Sequence, residues 1–176
     1  TKEGEKYLFY EDTRYRSVRG IARLKKDGAQ ISGDNFSVLE LEQGAVLLGL
    51  SDGMGSGSVA CRESEMVLDL VERFLEAGFT VETAIRMMNS AMVMKGENDL
   101  YSTADLCTID LYDGAAEFYK IGAAGSFLKR DGETSSFLAE SLPVGTGMEL
   151  QIVRKKTQLK SGDLIVMVTD GVLEYL

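Results

Sequence analysis

Two apolar runs of this chain, residues 45–50 and 164–168, each end in a small hydroxyl residue followed by Asp-Gly: Ser51-Asp52-Gly53 and Thr169-Asp170-Gly171. Both runs are short and continuously apolar, the second rich in β-branched residues, as buried strands are. Such strands present Asp52 and Asp170 at their ends, where two carboxylates repel one another unless a hard cation sits between them. Ligation by oxygen alone is what magnesium and manganese prefer. A third acid, Asp34 in Ser32-Gly33-Asp34-Asn35, precedes another strand pattern, and pairing of that strand with the Asp52 strand brings the two acids together. The chemistry implied is a binuclear hydrolytic centre.

Exclusion points the same way, because the chain contains no histidine. Ser-His-Asp and Cys-His nucleophiles, histidine-ligated zinc and a histidine general acid all fall away. Cys61 and Cys107 are too few and too far apart for a zinc knuckle or a disulfide framework, and both read as buried small residues in a reducing compartment.

At 176 residues and 44% hydrophobic, the chain is long enough for one substantial core, and a single domain over 1–176 is expected. The one proline, Pro143, and the scattered glycines mark no linker. The apolar runs fall far short of the ~20 residues that span a bilayer, and residues 1–10 lack the layout of a signal peptide. With 28 acidic against 19 basic residues, a formal charge of −9 argues against a large phosphate-backbone surface, so no nucleic-acid partner is expected.

The elements that must position the acids follow from periodicity. Residues 14–24 and 35–41 alternate as half-buried strands, and Gln43-Gly44 turns into the 45–51 strand. A glycine-rich turn then opens an amphipathic helix over about 58–77, with Val67, Leu70, Val71, Phe74 and Leu75 on one face and Gly78-Phe79 as its stop. Thr80 caps a second helix that runs to Lys95-Gly96 and carries a methionine-rich core stripe. Beyond Ala104 the chain reads as antiparallel strands: 106–112 with 115–121 across Asp113-Gly114, 126–130 with 133–138 across Asp131-Gly132, and 151–157 with 163–169 across a turn at 160–163. The result is an α+β layered architecture.

The turn Ser51-Asp52-Gly53-Met54-Gly55-Ser56-Gly57-Ser58-Val59-Ala60 fits more than one template. Gly55-x-Gly57-x-x-Ala60 matches a dinucleotide fingerprint, but the next element reads as a helix where that motif needs a strand. A plain strand-to-helix turn with no ligand is the other reading. Ser102-Thr103 reads as a turn or cap, and Asp105 as a strand residue or an acid behind the site.

The order and spacing of Gly33-Asp34, Asp52-Gly53-Met54-Gly55, Tyr101-Ser102-Thr103-Ala104-Asp105, Leu142-Pro143-Val144-Gly145 and Ser161-Gly162-Asp163 through Asp170-Gly171 resemble the metal-dependent serine/threonine protein phosphatases of type 2C. Within them the chain resembles the bacterial branch represented by the stage II sporulation protein E phosphatase domain. The resemblance covers most of the chain. It implies two antiparallel sheets packed as a sandwich between helix pairs, with two manganese or magnesium ions at one edge. It implies that Asp52 bridges the ions, that the Gly53 carbonyl ligates one, and that Asp34 and Asp170 complete the shells. It implies hydrolysis of phosphoserine or phosphothreonine by water activated at the metals. The expected substrate is a phosphorylated protein, an anti-sigma-factor antagonist if the sporulation likeness holds. The expected location is a cytoplasmic domain tethered to a membrane-spanning region outside this chain.

Three departures matter. Met54 stands where many members of the family have histidine, which leaves protonation of the leaving oxygen to water. Gly122-Ala123-Ala124-Gly125 lacks the family's third-metal aspartate. The sequence ends at Leu176, six residues after Asp170, where the family continues with a helix, strands and a last metal-binding aspartate. The expectation is therefore a C-terminally incomplete domain with weak or absent metal and an open sheet edge inviting a homodimer. The alternative reading is a catalytically silent docking or oligomerisation module of the same fold. A nucleotide-binding protein stands third.

Overall fold

A computed structural model describes residues 2–3, 6–7, 11–24, 31–42, 44–55, 57–95, 101–147 and 149–173. Strands β3 (Asp34–Leu41), β4 (Ala45–Asp52), β5 (Ala104–Asp110), β6 (Ala115–Ile121) and β9 (Val153–Gln158) form a five-stranded antiparallel sheet in that order. Strands β7 (Ser126–Arg130), β8 (Glu133–Phe137) and β10 (Leu164–Met167) form a second antiparallel sheet, with β7 in its centre. The two-residue strands β1 (Lys2–Glu3) and β2 (Lys6–Tyr7) pair only with each other. Helices α1 (Gly57–Glu76) and α2 (Val81–Lys95) pack together, and α1 lies on β3 and β4.

Strand alternation builds two cores. On β5 and β6, Ala104, Leu106, Tyr119 and Ile121 face the helices and join Leu47, Val67, Val71, Ile85 and Met88. Their neighbours Cys107, Ile109, Ala116 and Phe118 face the other way and meet Phe137, Ile165 and Met167 of the second sheet. The expected sandwich is present, with one helix pair and the single turn α3 (Asp170–Leu173) among the described residues.

The helix signals translate directly into geometry. Gly78 adopts φ +84, its N–H donates to the Leu75 carbonyl at 2.9 Å, and the Phe79 N–H donates to the Phe74 carbonyl at 3.0 Å. This is a complete Schellman stop, with the Phe74 and Phe79 rings meeting edge to face at 6.1 Å. Thr80 Oγ1 accepts the Thr83 N–H at 3.3 Å and opens α2. The Asp131-Gly132 turn holds both residues at positive φ, 51 and 86, as a two-residue hairpin requires. The Asp113-Gly114 connection is wider, a four-residue loop closed by the Gly114 N–H on the Asp110 carbonyl at 2.9 Å. Gln43 and Gly96 lie outside the described residues.

Three expectations need correction. Residues 14–24 form no strand; they run as an exposed segment tied down by the Tyr15 N–H on the Leu111 carbonyl at 2.8 Å, the Arg19–Glu40 ion pair and Arg23 on the Ser32 carbonyl. Val18, Ile21 and Leu24 are exposed, so the apolar alternation has no sheet face to bury against. The segments read as a 151–157/163–169 hairpin do not pair with each other. β9 joins β6 in the first sheet, and β10 crosses to β7 in the second. Arg130 fixes this crossover by a fork onto both Asp163 oxygens, at 2.9 and 2.5 Å, and a hydrogen bond to the Gln158 carbonyl at 2.7 Å. Finally, Cys107 is buried but Cys61 is only half-buried.

Candidate metal centre

The β3–β4 register places Asp34 directly opposite Asp52 at the open end of the first sheet. The crossover carries β10 to the same end, so that Asp170 follows it into α3. Thr169 Oγ1 donates to Asp34 Oδ2 at 3.3 Å, which links the second sheet to the first. By alternation from Leu48, which packs between the sheets, the Asp52 side chain belongs to the inter-sheet face. Asp34, Asp52 and Asp170, chosen on strand-end position, therefore come together at the mouth of the cleft.

Electrostatics marks Asp52 as the crowded member. Burial, then the Asp34 carboxylate and then Asp170 push its carboxyl up to about 8 from an ordinary 3.8. The donor set suits a hard divalent ion. It is all oxygen, and the Gly53 carbonyl adds to it: a Cβ built on Gly33 would stand 3.2 Å from that oxygen and 3.7 Å from Asp52 Oδ1. Among the described residues no three His, Cys, Asp or Glu side chains close around a single point. Asp52 instead interacts with both other acids, so it is the member through which Asp34 and Asp170 would hold a hard cation together.

The backbone of this turn is clamped by residues that the sequence reading left as a cap. The Asp52 N–H donates to Thr103 Oγ1 at 2.9 Å, and the Asp52 carbonyl accepts from the Thr103 N–H and from Ser102 Oγ, both at 2.8 Å. Ser51 Oγ donates to the Thr103 carbonyl at 2.7 Å, and the Met54 N–H donates to the Tyr101 carbonyl at 2.8 Å. Ser102 is also bridged to Val144, so the Leu142-Pro143-Val144-Gly145 segment backs the clamp. On the other side, Ser64 Oγ of α1 donates to the Gly33 carbonyl at 2.5 Å, and the Gly53 N–H donates to it at 3.3 Å. Met54 is exposed and its thioether carries no proton.

Behind the acids lies a charged pair in which Asp105, read from the sequence as a strand residue or an acid behind the site, meets Lys120, which the sequence reading did not single out. Asp105 and Lys120 are cross-strand partners on β5 and β6, with Lys120 fully enclosed and Nζ 2.7 Å from Asp105 Oδ2. Ser126 Oγ donates to the same oxygen at 2.8 Å, and Lys120 also donates to the Ala124 carbonyl at 2.5 Å. Burial pushes the Asp105 carboxyl up against the opposing pull of Lys120, and it pushes the Lys120 ammonium down against that of Asp105.

Comparison with known proteins fits this architecture. A family model, Stage II sporulation protein E (SpoIIE), matches residues 42–176. The chain is 38% identical over 160 residues to stage II sporulation protein E of Bacillus subtilis (strain 168), covering 91% of this chain and 19% of that protein. The solved structure of the PP2C phosphatase domain with a fragment of the regulatory domain of SpoIIE from Bacillus subtilis superposes with a TM-score of 0.81 at 37% identity, over 93% of this chain and 48% of that one. The phosphoserine phosphatase RsbX of Bacillus subtilis (strain 168) is 27% identical over 154 residues, 86% of this chain and 72% of RsbX. Its structure in complex with magnesium gives a TM-score of 0.70 over 84% of this chain and 71% of that one. The chain thus spans about a fifth of the curated sporulation protein it matches. Among the described residues no helix is long and apolar enough to cross a membrane. Two antiparallel sheets, a helix pair and the match from residue 42 onward agree: the chain has the PP2C-type phosphatase fold and belongs to the stage II sporulation protein E family.

Proposed function

We propose that this domain hydrolyses phosphoserine or phosphothreonine on a protein substrate at a manganese or magnesium centre held by Asp34, Asp52, Asp170 and the Gly53 carbonyl. The observation that carries the reading is the meeting of Asp52 with both Asp34 and Asp170 at one end of the sandwich, where burial and then the two neighbouring acids raise its carboxyl to about 8. When bound, such ions activate water for in-line attack on phosphorus and offset charge on the phosphoryl oxygens. The residues of the chain supply position. Thr103 and Ser102 fix the Asp52 backbone, Ser64 and the Gly53 N–H fix Gly33, and the Thr169 hydroxyl orients the Asp34 carboxylate. Met54 offers no proton, so the departing hydroxyl takes its proton from solvent. Family membership supports a phosphorylated anti-sigma-factor antagonist as the substrate.

The test is phosphate release from a phosphoserine protein. The expected result is release that requires Mn2+ or Mg2+, stops with chelator and returns when the ion is restored. Release that persists at full rate in excess chelator would remove the metal from the reaction. A folded chain that binds Mn2+ yet releases no phosphate from phosphoserine or phosphothreonine proteins would reject the phosphatase reading.

A further inference from the structure

We propose that Asp105, Lys120 and Ser126 form a buried clamp between the two sheets that sets where Asp170 stands relative to Asp34 and Asp52, so that they act as positioning residues for the metal centre. This rests on the metal reading of the site.

The registers place the clamp just inside the acids. Asp105 pairs with Leu50, two residues before Asp52, and Ser126 pairs with Met167, three residues before Asp170. The 2.8 Å bond from Ser126 Oγ to Asp105 Oδ2 therefore ties the Asp52 sheet to the Asp170 sheet close to where the carboxylates must meet. Asp105 also shares a strand face with Thr103, two residues away, whose hydroxyl holds the Asp52 N–H. Lys120 fastens the assembly from below, with one hydrogen bond to Asp105 and one to the Ala124 carbonyl in the connection between β6 and β7.

Fold stability alone gives a poor account of this group. Its surroundings are apolar: Cys107 and Phe118 on the first sheet, and Phe137 of the second sheet with its ring centre 5.6 Å from Lys120 Nζ. Asp105 Oδ1 is buried with no hydrogen-bond partner among the described residues, so the pair is not even fully satisfied there. Well-packed apolar residues of similar volume would hold two sheets together as well or better. They would not impose the directional geometry of a hydrogen bond, which fixes the spacing and shear of the sheets at this point. A ligand set divided between two sheets needs that fixed spacing.

The experiment compares the parent chain with Ser126→Ala, Ser126→Thr and the double variant Asp105→Leu/Lys120→Met. It measures Mn2+ affinity from the electron paramagnetic resonance signal of free Mn2+, and the melting temperature without metal. The double variant is expected to melt near the parent and to bind Mn2+ about tenfold more weakly, the scale on which outer partners of metal ligands act. Ser126→Ala weakens binding in the same direction, and Ser126→Thr, which keeps the hydroxyl, recovers most of the loss. A folded double variant with parental affinity overturns the clamp and leaves the metal reading intact. If the double variant does not fold, parental affinity in Ser126→Ala overturns it. Mn2+ binding by the parent chain that is unaffected by Asp52→Asn overturns the metal reading and the clamp with it.

Discussion

Asp52→Asn is expected to abolish the response to Mn2+ and, in the metal-free chain, to raise the melting temperature. Both effects come from one carboxylate. As the acid that interacts with both Asp34 and Asp170, Asp52 is the donor whose loss breaks both halves of the proposed centre. The loss of phosphate release should exceed the roughly 10–100-fold that removing an outer partner of a metal ligand costs. Without metal the same carboxylate is a liability. Its pKa stands near 8 in the fold against 3.8 as an ordinary aspartate, so between those values the folded chain binds a proton that the unfolded chain has released. Stability from this group is therefore greatest below pH 3.8, falls as pH rises toward 8 and levels off above it. Asparagine removes that slope. The difference in melting temperature between variant and parent should widen from pH 5 to pH 8, while saturating Mn2+ stabilises the parent alone. A variant less stable than the parent at pH 8, or one that Mn2+ still stabilises, would contradict the account.

Gly53→Ala has the largest expected effect on the fold. A Cβ on Gly53 would stand 2.0 Å from the Ala60 carbonyl oxygen, 2.6 Å from its carbonyl carbon and 2.8 Å from its Cα. All three are backbone atoms in the first turn of α1, so no rotamer change relieves the clash. Either α1 moves off the end of β4 or the turn carrying Asp52 moves. Overpacking of this kind costs about 3 kcal/mol or more, which for a chain of this size lowers the melting temperature by roughly 6–12 °C. Mn2+ binding should fall as well, because the Gly53 carbonyl moves with the turn. Gly55→Ala is the control: its Cβ meets open space and only its φ of +102 resists substitution. Thermal melts and Mn2+ titrations of both variants check this, and equal losses in the two would remove the packing argument.

What the sequence made legible follows the range of the interactions. α1, α2, the Gly78 stop and the Thr80 cap are written in contiguous residues, and so are the three hairpins β3–β4, β5–β6 and β7–β8. Asp34 beside Asp52 followed from one local pairing. Asp170 was identifiable because the Asp-Gly signature repeats, although its approach depends on a crossover that local pattern does not encode. The hydropathy of β9 and β10 looked like one hairpin, yet the Arg130–Asp163 fork holds them in different sheets. Residues 14–24 alternated like a strand with no signal that a partner was lacking. Ser102, Thr103 and Lys120 were out of reach for the same reason. A hydroxyl before a strand or a lysine within one gains its meaning only from the strand that register places beside it.

The link from Thr169 to Asp34 spans 135 residues, whereas the hairpins and the helix pair close over a few. Loop-closure entropy favours the short links first, so the mouth that joins Asp34 to Thr169 is expected to assemble after the hairpins and the helix pair. An ion that stabilises only the finished mouth then has nothing to hold in the folding transition state. Saturating Mn2+ should slow unfolding in stopped-flow denaturant jumps and leave the refolding rate unchanged. Metal would thus govern how long a folded molecule lasts and leave untouched how fast it is made.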